Sequence, residues 1–99
     1  MAKLDHKEPS MALYENILKL KTVDECRKFF EDVCTVSEAR AIEQRFDVAV
    51  LLTQGKIYNE ILARTGASSA TISRVSRVLA SGTGVLRGLT EQLAEEDKE

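Results

Sequence analysis

The stretch Lys56–Leu79, KIYNEILARTGASSATISRVSRVL, decides the fold. It reads as two short helices around a tight corner. Ile57, Ile61 and Leu62 give the first segment an apolar side, and Gly66 with Ala67 makes the break. Ser68 and Ser69 are placed to cap the second segment, because a serine oxygen accepts the unpaired N–H groups of a first helical turn. Ile72, Val75 and Leu79 then recur at i, i+3 and i+7, one face of a helix. Ser69, Ala70, Ser73, Arg74 and Arg77 fall on the opposite face, small and polar with two guanidiniums. A helix apolar on one side and hydrogen-bonding on the other, set off by a glycine corner, is the pattern of a helix-turn-helix. Its second helix reads base edges in a major groove of double-stranded DNA.

Outward from this stretch, charge is the next test. The 99 residues carry a net charge of −2, which by itself argues against a nucleic-acid partner. Distribution matters more than the total. Residues 1–55 hold eight Lys/Arg against ten Asp/Glu, and residues 88–99 hold one against five. Residues 56–87 hold five (Lys56, Arg64, Arg74, Arg77, Arg87) against the single acid Glu60, a local charge of +4. The positive field is concentrated on the helix-turn-helix, where phosphate contacts need it.

The rest of the chain reads as further helices. Residues 1–10 are a charged arm ending at Pro9-Ser10, with Asp5 and Glu8 cancelling Lys3 and Lys7. From Met11 to Lys21, Leu13, Ile17 and Leu20 follow i, i+4, i+7 with Tyr14 and Leu18 alongside, an amphipathic helix. Thr22-Val23-Asp24-Glu25 matches a capping box and opens a second helix with Val23, Cys26, Phe29, Phe30 and Val33 on one side. Thr35-Val36-Ser37-Glu38 is another, opening a third helix to about Gln54, with Gly55 placed to end it in a left-handed conformation. The second half of that helix, Phe46–Leu52 (FDVAVLL), is apolar on nearly every side, so it must be covered on all sides. One short protomer is expected not to supply that cover, which predicts an obligate homodimer. After a break at Ser81–Gly84, Leu86, Leu89 and Leu93 mark a last helix over 85–97. The expectation is an all-α domain of six helices over 11–97: dimerisation helices at 11–55, the helix-turn-helix at 56–80, and a closing helix.

Other function classes find no support. Cys26 and Cys34 lie about 12 Å apart along one helix, too far for a disulfide, and are expected as buried or half-buried free thiols. The only histidine, His6, falls in the arm, so neither a metal cluster nor a Ser/His/acid set can form, and no glycine-rich phosphate loop follows a strand. No metal, cofactor or enzymatic activity is expected. No apolar run approaches membrane-spanning length, and MAKLDHKEPS lacks the apolar core of a signal peptide, which makes a cytoplasmic protein the default.

The order of helices and the residues at the corner resemble the Trp repressor superfamily, and within it the small YerC/YecD-type branch. The resemblance covers about residues 11–95. It rests on Thr65–Val75 (TGASSATISRV), and on Gln44-Arg45-Phe46 with Leu51–Gly55 (LLTQG) closing the third helix. It implies an intertwined homodimer in which the first three helices of both chains interlock and two heads meet successive major grooves, as in a bacterial transcriptional repressor. Ser69, Ala70 and Ser73 match the family's base-facing sites and Thr71 a phosphate-facing one. With Ser68, Arg74, Arg77, Lys56 and Arg64 they make the expected DNA contacts.

Arg45 and Arg74 match the two arginines that bracket tryptophan in the Trp repressor, and with Val75 and Val78 they mark the possible effector pocket. Here the sequence departs from the family. Val75 replaces a glycine and Val78 another small pocket residue, so two aliphatic side chains fill the slot an indole needs. Tryptophan is therefore not expected as corepressor, and no other small-molecule effector is named by the residues. The first helix of the motif is also one residue shorter, and Leu62 stands where a basic DNA-contacting residue belongs. Arg74 has two open roles: contacting DNA, or pairing with a carboxylate such as Glu43 or Asp47 inside the dimer. For Arg45 an internal ion pair is expected. The alternative function is a helical dimeric protein-interaction module that leaves DNA to a partner.

Overall fold

The computed structural model describes residues 8–97, so most of the expected arm lies outside the described residues. Among the described residues six helices follow in order: α1 (Met11–Ile17), α2 (Val23–Val33), α3 (Val36–Thr53), α4 (Tyr58–Thr65), α5 (Ser69–Ser81) and α6 (Val85–Asp97). Among the described residues there is no strand, and no helix is long and apolar enough to cross a membrane. The chain divides into two compact units between Val36 and Ser37.

The first unit contains α1 and α2. Its first helix is shorter than the expected 11–21. Asn16, a weak helix former, turns its amide back onto the Ala12 carbonyl (2.7 Å) one residue before the end. Tight bonds from Lys19 N–H to Asn16 O and from Leu20 N–H to Ile17 O, both 3.1 Å, then close the chain. At α2 the cap is as read from the sequence. Thr22 Oγ1 accepts the Glu25 N–H at 3.0 Å, and its hydroxyl donates to the Glu25 carboxylate at 3.3 Å. Asp24 takes hydrogen bonds from Lys28 and Arg27, which hold its carboxyl below the ordinary carboxylate range. That small contribution is present above the ordinary range and is lost as pH falls through the lowered value; these groups are exposed, so it is weak.

Phe29 and Phe30 meet edge to face, ring centroids 5.3 Å apart. Cys26 and Cys34 are half-buried free thiols, as expected. None of residues 8–36 is fully buried, and Met11, Tyr14, Leu18, Val23 and Val33 are exposed.

The second unit holds the core. Val48, Ala49 and Leu51 of α3 are buried with Ile61 of α4, Ala67 at the corner, and Ile72 and Val75 of α5; Leu52, Leu79 and Leu86 pack against them. The cover expected from a partner over 46–52 thus comes largely from the same chain. The helix-turn-helix folds back onto the end of α3, and Phe46, Val50 and Leu52 stay half-buried. Gly55 (φ +80°) ends α3 as expected. Lys56 N–H reaches Leu51 O and Gly55 N–H reaches Leu52 O, both at 3.0 Å, the paired bonds of a Schellman motif.

Of the Leu86/Leu89/Leu93 stripe read from periodicity, Leu86 packs against the core and Leu93 is half-buried, but Leu89 is not turned inward. Leu89 is half exposed, and Thr90 is fully buried in the inward position. Burying a hydroxyl is tolerable only when it is satisfied. Thr90 Oγ1 accepts from Thr53 Oγ1 at 2.9 Å and donates toward the Leu86 and Arg87 carbonyls, each at 3.1 Å.

Candidate nucleic-acid interface

The corner between α4 and α5 is built from four local devices. Gly66 adopts φ +70°, a left-handed conformation disfavoured for any residue with a Cβ, and its N–H closes α4 on the Leu62 carbonyl at 2.9 Å. Thr65 Oγ1 donates to Ile61 O at 2.8 Å and accepts the Ala67 N–H at 3.1 Å, carrying the chain around the turn. Ala67 is fully buried, so only a small side chain fits where the two helices meet. From α3, Gln44 Nε2 donates to the Thr65 carbonyl at 3.0 Å and ties the corner to the scaffold.

Ser68, rather than Ser69, is the cap of α5. Its Oγ accepts the Thr71 N–H at 3.2 Å and its hydroxyl meets Thr71 Oγ1 at 3.1 Å. Ile72 and Val75 are buried and Leu79 is half-buried, so the anchoring face read from the sequence is the one used. The opposite face is open: Ser69, Ala70, Ser73, Arg74 and Arg77 are exposed, as is Ser68, and Thr71 is half-buried. The apolar side of α4 is narrower than expected. Ile61 is fully buried, whereas Ile57 is 69% exposed and Leu62 is 41% exposed. Ile57 precedes the helix in extended backbone (φ −78°, ψ 159°), so helical spacing does not bring it beneath Ile61. Leu62 is turned about 100° from Ile61 around the helix axis.

The positive charge of the motif is not uniformly available. Glu60 pairs with Lys56 at 3.9 Å and with Arg64 at 3.5 Å. Arg87 pairs with Glu91 at 3.3 Å. Arg74 and Arg77 make no ion pair among the described residues, and both lie on the open face of α5. Glu60 therefore moderates the positive field beside α5. Glu60→Gln is expected to raise affinity for mixed-sequence duplex DNA several-fold at low ionic strength and to steepen its salt dependence. Stability should move by less than about 1 kcal/mol, because these pairs are exposed. Anisotropy titrations at several salt concentrations check this, and an unchanged affinity would show that Lys56 and Arg64 do not face the phosphates.

The four residues of the possible effector pocket are differently placed. Val75 is buried in the core, Val78 is half-buried, and Arg45 and Arg74 are exposed. Arg45, expected in an internal ion pair, makes none among the described residues of the chain, and Glu43 pairs with Arg40 at 3.6 Å. Two surface concavities lie elsewhere. One, of about 450 Å³, is lined by Leu52, Tyr58, Ile72, Ser73, Ser76 and Arg77. The other, of about 220 Å³, is lined by Asp47, Val50, Leu51, Gln54, Arg64 and Thr65. Gln44, Glu60 and Tyr58 are the contributors that motif reading missed. Only Glu60 carried a signal in the sequence, its i±4 spacing to two cations.

This arrangement, with its six helices, is matched by known proteins. The family model described as Trp repressor protein matches residues 9–94. The chain belongs to the Trp repressor family. It is 41% identical over 87 residues to the uncharacterised protein YerC of Bacillus subtilis (strain 168), covering 88% of this chain and 84% of that protein. A crystal structure of a TrpR-like protein from Eubacterium eligens superposes with a TM-score of 0.80 at 43% identity, covering 90% of this chain and 95% of the other. A candidate Trp repressor from Staphylococcus aureus gives 0.79 at 40% identity, covering 84% and 83%. The resemblance read from the corner residues is thereby established for nearly the whole chain, and the all-α, Trp-repressor-like fold with it.

Proposed function

We propose that this Trp repressor family member is a cytoplasmic, sequence-specific DNA-binding transcriptional repressor that acts as a homodimer. The observation carrying the reading is the open face of α5. A capped helix presents Ser69, Ala70 and Ser73 with two guanidiniums free of carboxylate partners among the described residues, on a corner braced from α3. Arginine offers parallel donors to guanine, and small residues permit close approach and water-mediated contacts. Dimerisation is supported by α1 and α2. A helix pair and its connection with no fully buried residue and six large apolar side chains exposed to water is the kind of surface a second chain covers. Tryptophan is left out of the reading. Val75 is part of the core, and its side chain stands where the resemblance to the Trp repressor implies a glycine.

Selection of genomic fragments by the purified protein at near-physiological salt, followed by sequencing, tests this. An inverted repeat with half-sites about one helical turn (~34 Å) apart is expected, equally enriched with and without added tryptophan. No enrichment, together with no binding at low salt, would transfer the reading to a protein-interaction module. Enrichment only with tryptophan present would overturn the argument from Val75.

A further inference from the structure

The smaller concavity, of about 220 Å³, lies between α3 and α4 and takes no side chain from α5. Asp47, Val50, Leu51 and Gln54 follow one another along α3 at i, i+3, i+4 and i+7, a single stripe about 10.5 Å long at 1.5 Å per residue. Arg64 and Thr65, at the end of α4, complete the lining. The middle of the stripe is apolar, with Val50 half-buried and Leu51 buried, while Asp47 and Arg64 are exposed.

The contacts of α4 show where the two charges lie. Gln44 Nε2 holds the Thr65 carbonyl at 3.0 Å, so the last turn of α4 sits beside the Asp47 end of the stripe. Arg64 reaches back one turn to Glu60 at 3.5 Å, and Glu60 also takes Lys56, two residues beyond Gln54. The guanidinium is thereby directed toward the Gln54 end. At the other end the Asp47 carboxylate makes no ion pair among the described residues. Opposite charges thus stand at the two ends of an apolar floor without meeting. A molecule with a cationic nitrogen at one end and a carboxylate at the other satisfies both through charge-assisted hydrogen bonds. The Arg64–Glu60 contact is long and exposed, so a carboxylate that takes two guanidinium donors displaces it at little cost. The volume is below the roughly 300–1,000 Å³ usual for drug-sized ligands, which makes the occupant small.

We propose that this concavity binds an ω-aminocarboxylate, a short aliphatic chain with an ammonium and a carboxylate at opposite ends. The ammonium sits on Asp47, the methylenes lie on Val50 and Leu51, and the carboxylate meets Arg64 beside the Gln54 amide. An α-amino acid, with both charges on one carbon, does not reach both ends of the stripe. Bound here, the ligand ties α4 to α3 at a second place besides the Gln44–Thr65 brace and stiffens the corner that carries α5. The site uses none of Arg45, Arg74, Val75 and Val78, and it stands whether or not the protein binds DNA.

The full chain is titrated without DNA, by calorimetry and by backbone-amide NMR shifts. The ligands are β-alanine, γ-aminobutyrate, δ-aminovalerate and ε-aminocaproate, with glycine, pentylamine and valerate as controls. One member of the series is expected to bind at millimolar concentration or below, about tenfold tighter than any control, and to shift the amides of Val50, Leu51, Gln54 and Thr65. Asp47→Asn and Arg64→Gln should each weaken that binding about tenfold. Their thermal midpoints should stay close to the parent's, because both side chains are exposed. Asp47→Glu carries the carboxylate one methylene further and should move the preference to the next shorter chain, which a purely structural role of Asp47 would not do.

Pentylamine or valerate binding as tightly as the series would reduce the site to a single-charge surface contact and overturn the proposal. Glycine binding as tightly would overturn the two-ended arrangement. No binding by any member of the series to the folded parent removes the site altogether and leaves the DNA reading untouched.

Discussion

Ile61→Ala is expected to destabilise the protein by about 2–5 kcal/mol, the usual cost of truncating a fully enclosed isoleucine. Ile61 is completely shielded from solvent and sits in the cluster that joins the end of α3 to both helices of the motif. Truncation leaves a cavity that Val48, Leu51 and Ile72 are too constrained by their own helices to close. A domain of this size is stable by about 5–15 kcal/mol, so the loss runs from roughly an eighth of the total to all of it. Urea unfolding is the measurement: the midpoint should fall sharply with the slope unchanged. Ile57→Ala is the control. It removes the same atoms four residues earlier, from an exposed position, and should shift stability by about 0.5 kcal/mol or less. Equal losses at both sites would show that the apolar side of α4 extends as periodicity suggests. A loss below about 1 kcal/mol at Ile61 would show that the core is not organised around it.

That contrast marks the boundary of what was legible in the residues. Ile72, Val75 and Leu79 follow a local rule and are buried or half-buried as it requires, because all three lie inside one unbroken helix. Ile57 and Ile61 satisfy the same spacing on paper, but the rule holds only within a helix, and Ile57 stands outside one. Capping was legible at Thr22 and Ser68 for a similar reason: donor and acceptor are three residues apart. Gln44 with Thr65 and Thr53 with Thr90 are 21 and 37 residues apart. No local pattern encodes such contacts, and in α6 Thr90 takes the inward position that periodicity gives to Leu89.

The all-round apolar segment 46–52 had to be covered by something. Its sequence does not distinguish another chain from the returning α4 and α5, and the returning helices supply much of the cover. The exposed small and polar set on α5 was legible as a face. The division of the positive field was not, because it depends on Glu60 holding Lys56 and Arg64 while Arg74 and Arg77 stay unpaired.

Ser73→Ala with Arg74→Ala is expected to lower affinity for the selected DNA site on the order of 100-fold. One well-placed arginine–guanine contact contributes roughly 1–3 kcal/mol of discrimination, and a serine contact adds to it. Affinity for mixed-sequence duplex should fall far less, by about the one phosphate that Arg74 can neutralise, so the ratio of specific to non-specific binding collapses. Both side chains are exposed and Arg74 has no ion pair among the described residues, so the thermal midpoint should stay close to the parent. These two readouts divide the possible roles of Arg74. Lost specificity with an unchanged melt makes it a base reader. A melt lowered by several degrees, with both kinds of DNA binding reduced together, makes it a structural cation paired with a carboxylate such as Glu43 or Asp47 across the dimer. Under that second outcome the recognition surface would contract to Ser69, Ala70, Ser73 and Arg77. Specificity would then rest on close approach and water, with Arg77 its only charge.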